Sequence, residues 1–171
     1  MEKQTKRTVF ELKVVVEQEL SLLESLLEQM QFEREALLEF KPDQLVELNK
    51  RKELLILQLN YLEENRLRVS TRIAKSFNIP DPEKATLAII ADKIDDPLSE
   101  DLRPLHSKFI ALVESIQELN IINRDLIEFS IRSVKGSVAF LKRRFFHGET
   151  YSSAGVVNDE IEGLSRLSSR V

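Results

Sequence analysis

Cysteine and tryptophan are absent from the 171 residues, glycine occurs four times, proline five times, and aromatic residues make up 6%. Without cysteine there is no disulfide framework and no thiolate metal site, a usage compatible with the cytosol. So few turn formers leave little material for connections and argue for long helices. No stretch approaches the ~20 apolar residues that a membrane span needs. The segment MEKQTKRTVFELKVVVEQEL is basic and then apolar, but Glu11, Lys13, Glu17 and Glu19 interrupt any signal-peptide core. A soluble, cytoplasmic protein is expected. A net charge of −4 provides no global field to recruit nucleic acid or an anionic membrane. What the chain has in quantity is Leu, Glu, Lys and Arg at helical spacing, with charged residues at 32%. The expected class is all-α: an elongated antiparallel helical bundle or coiled coil of three long helices and one short one, with a flexible C-terminal tail.

The first helix is expected over ~8–40, where Val9, Leu12, Val16, Leu20, Leu23, Leu27, Met30 and Leu37 recur in steps of three and four. Arg34 takes the place between Met30 and Leu37, and Leu22, Leu26 and Leu38 widen the stripe enough for two neighbours. FKPDQ ends it, because Pro42 disfavours a helical Lys41, and Asp43 suits the cap of the next helix. That second helix, ~43–78, has the seam Leu45, Leu48, Lys52, Leu55, Leu59, Leu62, Arg66, Val69 and Ile73, with Phe77 one position late. A short connection between long helices makes an antiparallel hairpin the default. Asp81-Pro82-Glu83 is a helix start for a short element, ~82–94. Asp95-Asp96-Pro97 opens the third long helix, ~98–146, with Pro104 tolerated in its first turns or marking a kink. Its seam reads Leu105, Phe109, Leu112, Ile116, Leu119, Asn123, Leu126, Ser130 and Ser133. These helices make a domain over 1–146. From His147 the texture changes to glycine, serine and weak amphipathicity, a tail over 147–171.

A search for chemistry is negative. Gly136, Gly148, Gly155 and Gly163 form neither a phosphate loop nor a dinucleotide fingerprint, and His106 and His147 sit in no H-E-x-x-H pattern. Glu17, Glu28 and Glu64 read as solvated faces, not metal ligands. No catalytic residue, metal or cofactor is expected. Arg132, Lys135, Lys142, Arg143 and Arg144, among Phe140, Phe145 and Phe146, suit the negative pole of a helix terminus, and the whole-chain charge gives no footprint for nucleic acid.

Asn120 and Asn123 stand three apart within a greasy run. A single buried amide fixes register in a coiled coil at some cost in stability. Ser130, Ser133 and Ser137 then continue the stripe with Gly136 beside it, which allows either tight packing against a bundle mate or a shallow groove for another helix.

At these residues the chain resembles a known family. Leu112 or Ile116, then Asn120, Asn123, Leu126, Ile127, Ser130 and Val134, are followed by a turn with Thr150, Tyr151 and Gly155. Together with Ala36-Leu37, Asp43, Leu48, Lys52 and Leu54-Leu55, this order looks like that of the FlgN-type flagellar export chaperones over nearly the whole chain. Ser152 stands where an acid commonly follows the tyrosine. The resemblance implies a cytoplasmic chaperone of type III export. Such a protein holds hook–filament junction proteins unassembled by shielding their amphipathic terminal helices, and delivers them to the export machinery. It also implies that the client is bound by the C-terminal part, here Tyr151 with Val156, Val157, Ile161, Leu164 and Leu167. The competing reading is a structural coiled-coil adaptor without chaperone activity that self-associates through its seams, so a weak homo-oligomer is also in view.

Overall fold

The computed structural model describes residues 2–94 and 97–146, without the side chains of residues 2–5, 97–99 and 146. It contains three long helices, α1 (Glu2–Leu38), α2 (Pro42–Ser76) and α4 (Pro97–Phe146), and one short helix, α3 (Leu87–Lys93), preceded by a single 3-10 turn at Pro82–Lys84. No strand occurs among the described residues. Contacts group the chain into two units, residues 1–130 and residues from 131 onward.

In the first unit the apolar periodicities become the packed faces. Val9, Leu12, Val16, Leu20, Leu23, Met30 and Leu37 of α1 are buried. Every seam position of α2 from Leu45 to Ile73 is buried or half-buried, while most other α2 positions are exposed. Ion pairs report the directions of the helices. Glu11–Arg72, Glu19–Arg66 and Glu33–Lys52 make α1 and α2 antiparallel. Lys13–Asp101, Glu24–Lys108 and the Asn123 bond to the Met30 carbonyl make α4 parallel to α1. The α4 seam is half-buried or buried from Leu105 to Ser130.

The scarcity of glycine shows at the helix ends. Phe40, at φ 53°, takes the left-handed position after α1 and lets Lys41 N–H donate to the Ala36 carbonyl at 2.9 Å. Asn78, at φ 52°, does the same after α2, with Ile79 N–H donating to the Ala74 carbonyl at 2.9 Å. This is the wrap that a glycine usually makes; asparagine tolerates it readily, whereas a phenylalanine there costs about 1 kcal/mol.

Four local expectations change. Asp43 does not cap α2: Lys41 occupies the cap position, Pro42 stands at the first helical position, and Asp43 sits in the first turn. There its charge still favours the positive helix end. Asp81 takes φ 50° before the 3-10 turn without a side-chain cap bond, and the cap of α3 is Thr86, whose hydroxyl accepts from Ile89 N–H at 3.3 Å. Arg34 is exposed and Glu33 is buried, because Glu33 has partners in Lys52 and Asn123 that an arginine would lack. Leu38, expected to widen the packed stripe, is 56% exposed at the last residue of α1. Pro104 lies inside a continuous α4.

Candidate functional site

The residues that close the α4 seam build one side of the candidate region. Asn123 is buried, and its Nδ2 donates to the Met30 carbonyl at 2.9 Å and to Glu33 Oε2 at 3.0 Å. Glu33 Oε1 in turn accepts from Lys52 Nζ at 2.6 Å. Three helices therefore meet at one polar layer. The Asn123 Oδ1 has no partner among the described residues. Turning the amide over would aim that oxygen at two other acceptors, so the orientation is fixed by chemistry. Asn120, its expected companion, is exposed. Ser130 is half-buried and its hydroxyl donates back to the Leu126 carbonyl at 2.9 Å.

In the second unit the described residues are the last turns of α4. Every described side chain from 131 to 145 is exposed, including Ser133, which the seam was expected to bury. The Ser137 hydroxyl turns back to the Ser133 carbonyl at 2.9 Å. Among the described residues a Cβ placed on Gly136 would meet nothing within 4 Å, so no described helix packs closely on this small-residue stretch.

One helical position round from the serines lies a second stripe. Ile131, Val134, Val138, Leu141 and Phe145 recur in steps of three and four and are 46–71% exposed. At 1.5 Å per residue this apolar line runs about 21 Å. Arg132, Lys135, Lys142, Arg143 and Arg144 lie on the same segment, which contains no acid. A contiguous apolar stripe of this kind marks an interaction surface. Its basic flanks favour a partner with acidic residues beside its apolar face.

A seam traced from Leu126 at its established period leads onto the serines and passes this stripe by. The period of the apolar residues shifts by one position at Ile127, and that shift is the sequence signal for it. Among the described residues no group of three His, Asp or Glu could hold a metal ion. Tyr151, Gly155, Val156, Val157, Ile161, Leu164 and Leu167 lie outside the described residues.

A protein-family model, FlgN protein, matches residues 1–159, which takes in both the polar layer at Asn123 and the exposed stripe. The chain belongs to the FlgN family. FlgN proteins are flagellar export chaperones, acting in flagellum assembly and protein export. No curated protein and no solved structure matches the chain. No described helix of this FlgN chain is long and apolar enough to cross a membrane.

Proposed function

We propose that this FlgN-family chain acts in the cytoplasm, binding hook–filament junction proteins, shielding their amphipathic terminal helices from premature assembly and delivering them to the type III export apparatus. The exposed stripe from Ile131 to Phe145 is the observation that carries this reading. An amphipathic helix free in solution is an aggregation hazard, and a second helix that covers its apolar face removes the hazard without catalysis. The stripe supplies one wall of the docking site. Tyr151, Val156, Val157, Ile161, Leu164 and Leu167 are the further residues proposed to contact the client. Burying the exposed part, about half, of the stripe's five side chains yields roughly 5 kcal/mol gross, and the client's apolar face adds a similar amount; coupled ordering of a binding segment costs about 2–5 kcal/mol. The remainder also has to offset the cost of association, which leaves a complex reversible enough for release at an export gate.

Deleting residues 147–171 tests the tail's part. Capture of a purified junction protein should be lost while helical content and melting are kept. Binding as tight as that of the full chain would show that the tail has no part in it.

A further inference from the structure

We propose that the last turns of α4 also dock on an anionic lipid bilayer, with the stripe from Ile131 to Phe145 in the interface and the basic residues drawn to the headgroups. This contact goes beyond client binding and does not rest on it. Ile131, Val134, Val138, Leu141 and Phe145 are exposed and share an arc of about 80° on the helix. Lys135 and Lys142 follow Ile131 and Val138 by four residues and line one edge of that arc. Arg144 follows Leu141 by three and lines the other, while Arg132 and Arg143 lie on the polar face. The chain has 29 acidic residues, yet none stands between Glu128 and Glu149. None of the five cations makes an ion pair or hydrogen bond among the described residues.

The spread of these cations selects a surface as the occupant. A helix seated on the stripe meets the residues at its edges. Arg132 and Arg143 stand about 100° and 120° round from the nearest stripe residue, beyond such a contact. The field of an anionic surface extends about 8–10 Å at physiological salt, close to the width of a helix, and so attracts all five. Apolar side chains on one face with lysine and arginine over the rest is the pattern of a helix that rests in the plane of a membrane surface. The long stems of Lys135, Lys142 and Arg144 let their charges reach headgroups while the stripe enters the acyl boundary. The contact is peripheral, since no described helix is apolar enough to cross a bilayer. It is also local. The whole chain carries a net charge of −4, so attraction belongs to this segment and decides which part of the molecule touches lipid.

Flotation of the full chain with unilamellar vesicles tests this, comparing phosphatidylcholine alone with phosphatidylcholine holding about 30% phosphatidylglycerol. At about 25 mM salt the chain should float with the anionic vesicles and bind the zwitterionic ones about ten-fold more weakly or worse. Lys135→Gln combined with Lys142→Gln should weaken anionic binding about ten-fold or more. Val138→Asp and Leu141→Asp should each weaken it at least about ten times more than Ser133→Asp, which adds the same charge about 120° from the middle of the stripe. No flotation at low salt overturns the proposal, and so does equal binding to both compositions. Equal losses with all three aspartates also overturn it, because they mark a diffuse charge contact with nothing inserted. A client helix on the stripe excludes the bilayer, so a peptide of a junction protein's terminal helix should displace the chain from the vesicles. Stripe-dependent flotation that the peptide leaves unchanged supports the membrane contact and instead removes the client from this stripe.

Discussion

Glu19 is 2% exposed, on a helix that presents leucine and valine to its neighbours. Its Oε2 accepts from Arg66 Nε at 2.8 Å, and the Arg66 guanidinium lies 5.4 Å from the centre of the Phe109 ring. Surface pairs such as Glu11–Arg72 or Glu24–Lys108 are worth about 0–1 kcal/mol each and fix little. The buried pair differs in kind, because desolvation opposes its own attraction. Burial pushes the Glu19 carboxyl above its ordinary range, while the charge and hydrogen bond of Arg66 pull it the other way without cancelling the rise. A carboxyl raised in the folded state binds more protons folded than unfolded between its two pKa values, so its contribution is fully present below the unfolded value and is lost as pH rises through the folded one. Glu19→Gln removes this titration. Urea unfolding of both proteins at about pH 7 and about pH 4 should show the wild type gaining stability relative to the variant as pH falls. A difference that is flat, or that moves the other way, would mean that Arg66 outweighs burial. Asn123 poses the same problem without a charge. Its amide holds α4 level with Met30 and Glu33, and a leucine there would add apolar contact but leave Glu33 with Lys52 as its one remaining partner among the described residues.

At the scale of elements, α4 changes its task along its length. Up to Ser130 one line of side chains packs against other helices. From Ile131 a different line is apolar and meets solvent. An aspartate at Val138 or Leu141 therefore disturbs no packing among the described residues. Unfolding free energy should stay within about 0.5 kcal/mol of wild type. Affinity for a peptide of a junction protein's terminal helix should drop about ten-fold or more, or at least ~1.4 kcal/mol. Ala139→Asp, about 100° round the helix, should leave it nearly unchanged. Fluorescence anisotropy with the three variants separates a stripe from a diffuse sticky surface, since equal losses at all three positions would reject the stripe. The elements themselves are legible in the sequence because seam residues such as Leu48, Leu55 and Leu59 keep a period that neighbouring residues do not share. The buried acids Glu19 and Glu33 are not legible. Their burial depends on Arg66 and Lys52, 47 and 19 residues away, which no local pattern connects to them. Caps at Asp43 and Asp81 fail for a related reason: a side chain that can cap does so only where the backbone enters the helix, and that point is set at Lys41 and Thr86.

Across residues 1–130 the apolar core is uneven. One cluster of fourteen buried residues draws on α1, α2, α3 and the first turns of α4, from Val9 and Leu12 through Val69, Ile73, Ile79, Leu87 and Ile90 to Leu102. The other has three, Leu26, Met30 and Leu119, with Leu55, Leu59, Leu27 and Ile116 half-buried around them. The larger cluster lies where α3 closes over the N-terminal part of α1 and the C-terminal part of α2, and the polar layer of Glu33, Lys52 and Asn123 belongs to the other end. Stability should track the clusters and not helix length. Ile90 sits in a seven-residue helix that could not persist alone, yet it is fully buried. Ile90→Ala should cost about 2–5 kcal/mol. Leu55→Ala, in the middle of the 35-residue α2 but only half-buried, should cost about 1 kcal/mol, since much of its surface is already in water. Urea midpoints at an unchanged slope measure both. Equal costs would mean that α3 is an ornament on a hairpin that folds without it; the larger loss at Ile90 makes the short helix the closure around which the long ones are held.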